Sequence, residues 1–102
     1  MNAYRVEITA RALTDIKTIE RYIAVHSPAR AARFIDRLLM AIDGLSPIPQ
    51  HNVARRTEDN PWPVRSLPVG AYIIYFRVDE HSSVIRILTI RYGSRRSPRK
   101  FD

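Results

Sequence analysis

The sequence predicts an α+β fold in which two helices pack on one face of a single sheet. Alternating apolar residues near the N-terminus indicate a half-buried strand, and two apolar stripes at helical spacing follow it. Three runs rich in β-branched and aromatic residues complete the chain. The predicted order is β-α-α-β-β-β: an N-terminal strand, an antiparallel helical hairpin, and a three-stranded antiparallel meander. We expect one domain, residues 1–102, with a basic C-terminal tail at residues 93–102.

The first strand leads directly into a capped helix. Tyr4, Val6 and Ile8 alternate with charged residues, which is the period of a strand with one buried face. Thr9 is suited to cap the helix, because its hydroxyl can accept a hydrogen bond from a free backbone N–H of the first turn. The apolar stripe of this helix consists of Leu13, Ile16, Ile19 and Ile23.

A second helix follows after a very short connection. Pro28 disfavours helical geometry in Ser27 and itself fits a first helical turn, so this pair predicts one helix end and one helix start. Gly44 lies near the predicted end, where glycine is favoured. The residues expected to face the core are Phe34, Leu38, Ala41 and Leu45. Three further residues, Ile35, Leu39 and Ile42, widen the stripe and either extend the core contact or dock a partner's helix.

The second half of the chain is predicted to hold three strands after an irregular segment. Residues 46–63 contain prolines at positions 47, 49, 61 and 63, which exclude a continuous helix or a central strand. A turn is expected at Gly70 and a polar turn at residues 79–83. The predicted strands are residues 64–69, 72–78 and 84–92.

Composition and charge narrow the class of protein. The chain has no cysteine, which excludes disulfides, thiolate catalysis and cysteine zinc sites. No apolar run approaches the roughly 20 residues that span a bilayer, and the N-terminus lacks an apolar signal core. A cytoplasmic protein with no membrane partner is therefore expected. Seventeen basic residues against 10 acidic ones give a net charge of +7. This charge either indicates an anionic partner or only reflects charged side chains that keep the domain in solution.

Signatures of enzymes are sparse. The sequence has no P-loop, no glycine-rich nucleotide fingerprint and no nucleophile elbow. His26, His51 and His81 fall in predicted loops without metal-ligand spacing, so we expect no metal and no cofactor. The acidic residues form no close pair that would suit general acid–base catalysis.

Arginine side chains on the predicted sheet are the candidate binding groups. Arg77 shares a strand face with Ile73 and Tyr75, whereas the alternating residues are expected to face the helices. Guanidinium groups held on strands can bind phosphates or carboxylates of a target; alternatively, they pair with acidic residues on a solvated face. The candidate target-binding residues are Arg65, Arg77, Arg86, Arg91, Tyr92, Arg95 and Arg96.

The chain resembles the RelE/ParE superfamily of bacterial toxins from type II toxin–antitoxin (plasmid stabilization) systems. The resemblance covers nearly the whole chain and is closer to the ParE branch than to the RelE branch. The segments that carry it include residues 4–12 (YRVEITARA), 64–70 (VRSLPVG), 72–77 (YIIYFR) and 91–93 (RYG) with Arg95. Each segment is weak alone, and their order and spacing make the resemblance specific.

The two branches imply different mechanisms. RelE-like toxins cut messenger RNA in the ribosome, using basic residues of the sheet and commonly a tyrosine near the C-terminus. ParE-like toxins trap DNA gyrase on cleaved DNA without chemistry of their own. This sequence lacks several residues of the RelE nuclease pattern. Tyr72 stands where the pattern has an arginine, and Phe101, which has no hydroxyl proton to transfer, stands where the pattern has a tyrosine near the C-terminus. If the chain were a ribonuclease, its catalytic candidates would be Arg65, Tyr92 and Arg95.

Three functions are compatible with this resemblance. The first is a non-enzymatic toxin that inhibits DNA gyrase by non-covalent binding and is neutralised by a ParD-like antitoxin. The second is a ribosome-dependent messenger RNA endoribonuclease, and the third is an inactive homologue that acts only as an antitoxin-binding corepressor. The antitoxin would be acidic and amphipathic, and operator DNA would be contacted only through it. Its expected contacts on this chain are Ile35, Leu39 and Ile42.

Overall fold

Two helices lie on one face of a five-stranded sheet in the computed structural model, which describes residues 4–47, 54–57 and 60–93. The elements, in chain order, are β1 (Arg5–Ile8), α1 (Ala10–Ala24), α2 (Pro28–Asp43), β2 (Ala54–Thr57), β3 (Asn60–Val69), β4 (Tyr72–Asp79) and β5 (Val84–Tyr92).

The sheet brings the N-terminal strand beside the last strand of the described chain. The strand order is β1-β5-β4-β3-β2. β1 runs parallel to β5, and the remaining neighbours are antiparallel. Parallel pairing needs a long crossover connection, and the path from β1 to β5 includes the helical hairpin. The predicted α+β architecture, with a helical hairpin before an antiparallel meander, is confirmed.

One prediction about the middle of the chain is wrong. Residues 46–63 were expected to be irregular, yet β2 forms within this segment and β3 begins at Asn60. The prolines are compatible with this strand because of where it has neighbours. In the part of the chain that the structure describes, the pairing of β3 with β4 begins at Arg65 opposite Phe76, whereas β3 pairs with β2 from Asn60 onward. A proline lacks a backbone N–H and is tolerated where a strand has a neighbour on only one side.

The predicted helix boundaries agree with the structure. The Thr9 hydroxyl accepts a hydrogen bond from the backbone N–H of Ala12 over 3.2 Å and caps α1. The Ser27 hydroxyl caps α2 in the same way, and Pro28 occupies the first helical turn. Gly44 is the C-terminal cap of α2, and its backbone N–H donates to the Met40 carbonyl. Each of these four roles is encoded locally.

The hydrophobic core lies between the helices and one face of the sheet. Its fully buried side chains include Leu38 of α2, Phe76 of β4 and Ile87 of β5. A second, smaller cluster of Val64, Tyr75 and Leu88 lies on the opposite face, which we call the outer face. Successive side chains of β4 point alternately to the helix-covered face and to the outer face, so β4 contributes to both clusters. The residues that face the helices are Tyr72, Ile74, Phe76 and Val78.

The turn between β3 and β4 packs against α2. Gly70 has a φ of +57°, in the left-handed region that favours glycine. A Cβ atom at this position would lie 3.2 Å from the ring of Phe34 and 3.5 Å from the guanidinium of Arg37. The predicted turn at Gly70 is therefore confirmed, and it also allows α2 to approach the sheet closely.

A β-bulge in β5 changes which side chains face the helices. Phe76 of β4 lies opposite Ile87, whereas Tyr75 lies opposite Thr89, so Leu88 is an extra residue on β5. Before the bulge Ile85 and Ile87 face the helices, and after it Ile90 does. The bulge therefore shifts the alternation of β5 by one residue.

Two side chains at the start of α1 hold this bulge. The Thr9 hydroxyl lies 2.7 Å from the Ile87 carbonyl and 3.2 Å from the Leu88 carbonyl, and the Thr9 backbone N–H also donates to Ile87. The Asp15 carboxylate accepts hydrogen bonds from the Thr89 hydroxyl at 2.5 Å and from the Ile90 backbone N–H at 3.0 Å. The backbone groups released by the bulge are thus bound by α1.

The Asp15→Ala variant is expected to lose about 2–3 kcal/mol of unfolding free energy, because hydrogen bonds to a charged group are lost and the buried Thr89 hydroxyl is left without that partner. Urea denaturation monitored by circular dichroism measures the loss. Asp36→Ala, at an exposed position of α2, is the matched control and should change stability little. Equal stability of the two variants would contradict a role of Asp15 in holding the bulge.

Candidate functional site

Three of the predicted target-binding arginines lie on the outer face. Arg77 follows Tyr75 by two residues on β4 and lies directly opposite Arg86 of β5. Arg91 lies opposite Ile73, which packs on the outer cluster. The predicted common face of Ile73, Tyr75 and Arg77 is therefore confirmed, and the outer face carries arginines at both ends of a small apolar centre.

Arg86 is held by two carboxylates. Its Nε atom lies 3.2 Å from Glu7 of β1, and its Nη1 atom lies 3.6 Å from Asp79. Glu7 also binds Arg5, with an N–O distance of 2.9 Å. The sequence indicated only loop acids as partners for the arginines, because the parallel pairing that places Glu7 beside Arg86 is not visible in the sequence.

Arg77 differs from Arg86 in its partners. Its Nε atom is buried, and it has no hydrogen-bond partner among the residues that the structure describes. Burial lowers the pKa of the Arg77 guanidinium, and the charge of Arg86 lowers it further. Arg77 is thus a partly desolvated cation on a central strand.

Arg65 lies on the other face of the sheet. It is paired with Phe76, and directly paired residues share a face, so Arg65 is on the helix-covered side. There it lines a cleft of about 450 Å³ near the β4–β5 turn. The other lining residues are Pro63, Val78, Asp79, Glu80 and His81. The structure therefore does not bring Arg65 together with Arg77 and Arg86.

Tyr92 is also separated from the outer face. It lies opposite Tyr72, and the two rings meet edge to face with their centroids 5.6 Å apart. Phe34 of α2 also packs against Tyr72, with ring centroids 5.4 Å apart. Tyr92 therefore belongs to the helix-covered side, where an aromatic surface forms at the end of the sheet.

This surface is an apolar groove, which we call the aromatic groove and define by Tyr22, Phe34, Tyr72 and Tyr92. It consists of two clefts of about 420 and 380 Å³ that share Tyr22 and Tyr72. Tyr22 and Tyr92 are 67% and 68% exposed, which is high for large aromatic side chains beside an apolar cleft. His26 and Arg30 line the cleft beside α2. The groove combines apolar anchoring surface with positive charge.

The Tyr72 hydroxyl is the most perturbed tyrosine in the groove. Burial raises its pKa, and the neighbouring Tyr22 and Tyr92 hydroxyls raise it further, because a tyrosinate charge is unfavourable in that setting. Tyr72 is therefore a neutral hydrogen-bond donor at physiological pH. It is poorly suited to accept a proton in a reaction.

The residues predicted to contact an antitoxin have different exposures. Ile42 is 1% exposed and lies in the core, so it offers no surface to a partner in this conformation. Ile35 is partly buried against the same core. Leu39 is 39% exposed, and the neighbouring Met40 is 74% exposed. Of the three residues predicted to contact an antitoxin, Leu39 is thus the one whose side chain is exposed to a partner.

Some predicted groups cannot be placed. Arg95, Arg96 and Phe101 lie outside the described residues, as does His51. Within the described ranges no three histidine or acidic residues are arranged to hold a metal ion, and His26 and His81 line different clefts. None of the described helices has the length and apolarity to cross a membrane.

Sequence reasoning missed two features of the site. Glu7 was assigned only to a strand, although its charge among apolar neighbours could have marked it as a partner for a strand arginine. Tyr22 and Phe34 were assigned to helix stripes. Their signal was the excess of tyrosines at predicted element ends, which suggests an aromatic surface but does not say which rings meet.

The fold is similar to that of three solved toxin–antitoxin structures. The ParDE toxin–antitoxin system of P. aeruginosa shares 22% identity and a TM-score of 0.72, covering 89% of this chain and 97% of that chain. The RelBE2 toxin–antitoxin complex of Mycobacterium tuberculosis has 22% identity, a TM-score of 0.63 and coverages of 89% and 99%. The archaeal RelE–RelB complex of Pyrococcus horikoshii OT3 has 17% identity, a TM-score of 0.65 and coverages of 91% and 98%. These structures establish a shared fold.

The family is established from the sequence itself. Residues 6–97 match the family described as the ParE toxin of the type II toxin–antitoxin system parDE. This match spans most of the 102 residues, so the chain belongs to the ParE toxin family. No curated protein matches the sequence. The chain is a toxin of a type II toxin–antitoxin system, and the predicted membership of the RelE/ParE superfamily is confirmed.

Tyr72 is expected to lose its proton at a higher pH than the value of about 10 of an ordinary tyrosine. Because the pKa is higher in the folded than in the unfolded chain, the neutral ring stabilises the fold below about pH 10, and this contribution is lost as the pH rises through the raised pKa. The measurement is the absorbance of tyrosinate as a function of pH, recorded for the native protein and for the Tyr72→Phe variant. The difference between the two curves gives the titration of Tyr72. A difference curve with its midpoint at or below pH 10 would contradict the assignment.

Proposed function

We propose that this toxin inhibits DNA gyrase by non-covalent binding and that a ParD-like antitoxin neutralises it. Membership of the ParE family supports DNA gyrase as the proposed target. The observation that carries the proposal further is the separation of Tyr92 from the arginines of the outer face. The described chain offers fixed positive charge on the outer face, whereas Tyr92, a catalytic candidate of a ribonuclease, lies on the other side of the sheet.

The chemistry of RNA cleavage explains why this separation matters. Attack by a 2′-hydroxyl requires a group that accepts its proton, close to cations that stabilise the developing charge. Arginine remains protonated and cannot serve as the base at neutral pH. The hydroxyls of Tyr72 and Tyr92 lie on the opposite side of the sheet from Arg77 and Arg86. This arrangement disfavours a ribonuclease that would combine Tyr92 with these arginines.

The outer face is the proposed gyrase-binding surface. Arg77, Arg86 and Arg91 project from two adjacent strands and are held by the sheet, so little side-chain or backbone ordering is needed when a partner binds. Arginine forms paired hydrogen bonds with carboxylates and phosphates. Either the enzyme or the DNA that it holds can therefore supply the complementary groups.

The antitoxin is proposed to be an acidic, amphipathic chain that reaches the helix-covered side. The net charge of +7 favours an acidic partner. Leu39 and Met40 on α2 and the aromatic groove provide exposed apolar surface on that side. An amphipathic helix anchors its apolar residues in such a groove while its acidic face meets the surrounding arginines. Operator DNA would be bound through the antitoxin.

Purified toxin is expected to inhibit supercoiling by DNA gyrase and to accumulate cleaved DNA. Arg91→Glu should weaken inhibition by about tenfold or more, because a favourable charge contact of ~1.4 kcal/mol is replaced by repulsion. Arg21→Glu, at an exposed position of α1 away from the outer face, is the matched control and should retain activity. The measurement is a titration of toxin against supercoiling at constant ionic strength.

Two outcomes would overturn the gyrase proposal. Cleavage of messenger RNA in a translating extract, without any effect on purified gyrase, would favour the ribosome-dependent endoribonuclease. Unchanged bacterial growth when the folded, soluble toxin is expressed without antitoxin would favour an inactive homologue that acts as a corepressor.

Leu39→Glu is expected to weaken antitoxin binding by more than about tenfold, because a carboxylate in an apolar contact lacks a partner and meets an acidic chain. The isolated toxin should remain folded, since Leu39 is 39% exposed. Calorimetric titration of toxin with antitoxin measures the affinity. Ala29→Glu, on the same helix and also exposed, controls for the added negative charge.

The same titration with Tyr22→Glu tests the aromatic groove. A large loss of affinity in Tyr22→Glu together with no loss in Leu39→Glu would move the antitoxin contact from α2 to the groove. Unchanged affinity in both variants would exclude both surfaces.

A further inference from the structure

Arg77 lies in a small cleft that has the properties of a binding site. The cleft has a volume of about 160 Å³ and is lined by Arg77, Val78, Asp79 and Arg86. We call it the Arg77 cleft. It lies at the hairpin end of β4 and β5, away from the aromatic groove, and two antiparallel strands define its shape.

The arginine pair in this cleft is unfavourable for folding. Arg77 and Arg86 are directly opposed on neighbouring strands, and like charges in this arrangement repel each other. Arg86 is compensated by Glu7 and Asp79. Arg77 has a buried Nε without a partner in the part of the chain that the structure describes. The repulsion between the two arginines carries a loss of stability, which an anion bound at the terminal nitrogens of Arg77 would offset.

The charges around the cleft indicate the kind of ligand. Among the described residues that line the cleft or form ion pairs with it, Arg5, Arg77 and Arg86 are opposed by the carboxylates of Glu7 and Asp79, which leaves one positive charge in excess. A ligand group with one negative charge would neutralise it. A group with two negative charges would be repelled by Asp79, which lines the same cleft. The local balance therefore favours a monoanion.

The size of the cleft favours a small anionic group. The two terminal nitrogens of a guanidinium form paired hydrogen bonds with two oxygens of a carboxylate or a phosphate. Arg86 already uses Nε and Nη1 for its two acids, which leaves its remaining nitrogen available to the cleft. The volume of about 160 Å³ admits a carboxylate with its adjoining methylene group.

We propose that the Arg77 cleft is a binding site for a single carboxylate, supplied by an aspartate or glutamate side chain of a protein partner. The carboxylate binds the terminal guanidinium nitrogens of Arg77 and is oriented by Arg86. Arg77 then carries specificity for an acidic residue rather than general attraction for anions. The site does not depend on gyrase being the target, and it is tested without gyrase.

Nuclear magnetic resonance of the full-length toxin tests the site, with acetate as the probe. The buried Nε–H of Arg77 is expected to shift saturably as acetate is added, with a midpoint in the millimolar range. Sodium chloride and inorganic phosphate, at matched ionic strength, should cause a smaller and non-saturating shift. Arg91 on the same face is the internal comparison and should not saturate.

Two variants separate a ligand site from a structural role. Arg77→Gln should abolish the acetate response of the Val78 and Asp79 backbone amides while the urea midpoint stays equal to or above that of the native toxin, since a repelling charge is removed. Arg77→Lys keeps the charge but lacks the planar set of donors. It should bind acetate at least fivefold more weakly, which corresponds to about 1 kcal/mol of binding free energy.

Several results would overturn the inference. An equal shift of Arg77 with chloride and acetate would show general ionic screening. Stronger saturation by phosphate than by acetate would assign the cleft to a nucleic-acid phosphate. A clear loss of stability in Arg77→Gln would make Arg77 a structural residue. A failure of the gyrase assay would leave all of these readouts unaffected.

Discussion

The attachment of α1 to the bulge in β5 is the constraint on which both surfaces of this toxin depend. The bulge inserts Leu88 into the outer cluster and shifts every later residue of β5 to the other face. Without it, alternation would place Arg91 beneath the helices and Ile90 on the outer face. Thr9 and Asp15 bind the backbone and the Thr89 hydroxyl around the bulge, so the position of α1 and the register of β5 determine each other.

This constraint produces two chemically distinct surfaces on one small sheet. The outer face presents arginines on rigid strands, and the helix-covered side ends in an aromatic groove that contains Tyr92. Arg91 and Tyr92 consequently lie on opposite sides of the sheet. A surface of fixed charges on rigid strands suits recognition of a macromolecule. The proposed contacts with target and antitoxin thus fall on different faces.

Much of the fold could be predicted because its signals are local. Thr9, Ser27 and Gly44 end or begin helices through contacts within a few residues. The alternation along β4 correctly separates Tyr75 and Arg77 from Tyr72 and Phe76. The prolines of residues 46–63 predict an irregular segment, yet this segment contains β2 and the start of β3. Prolines 61 and 63 lie in β3, and their tolerance depends on how many neighbours the strand has at that point.

The sequence by itself determined the family, the order of the helices and the principal strands, and the face of each residue on β4, since propensity, capping and alternation are read from adjacent residues. Only the tertiary structure decided which residues of β5 face outward and which acid compensates Arg86. Both depend on contacts between distant parts of the chain. The hydrogen bond between Asp15 and Thr89 spans 74 residues, and Glu7 reaches Arg86 only because β1 pairs in parallel with β5. One inserted residue, Leu88, then changes the surface on which Arg91 and Tyr92 lie, because the side-chain period of a strand is two.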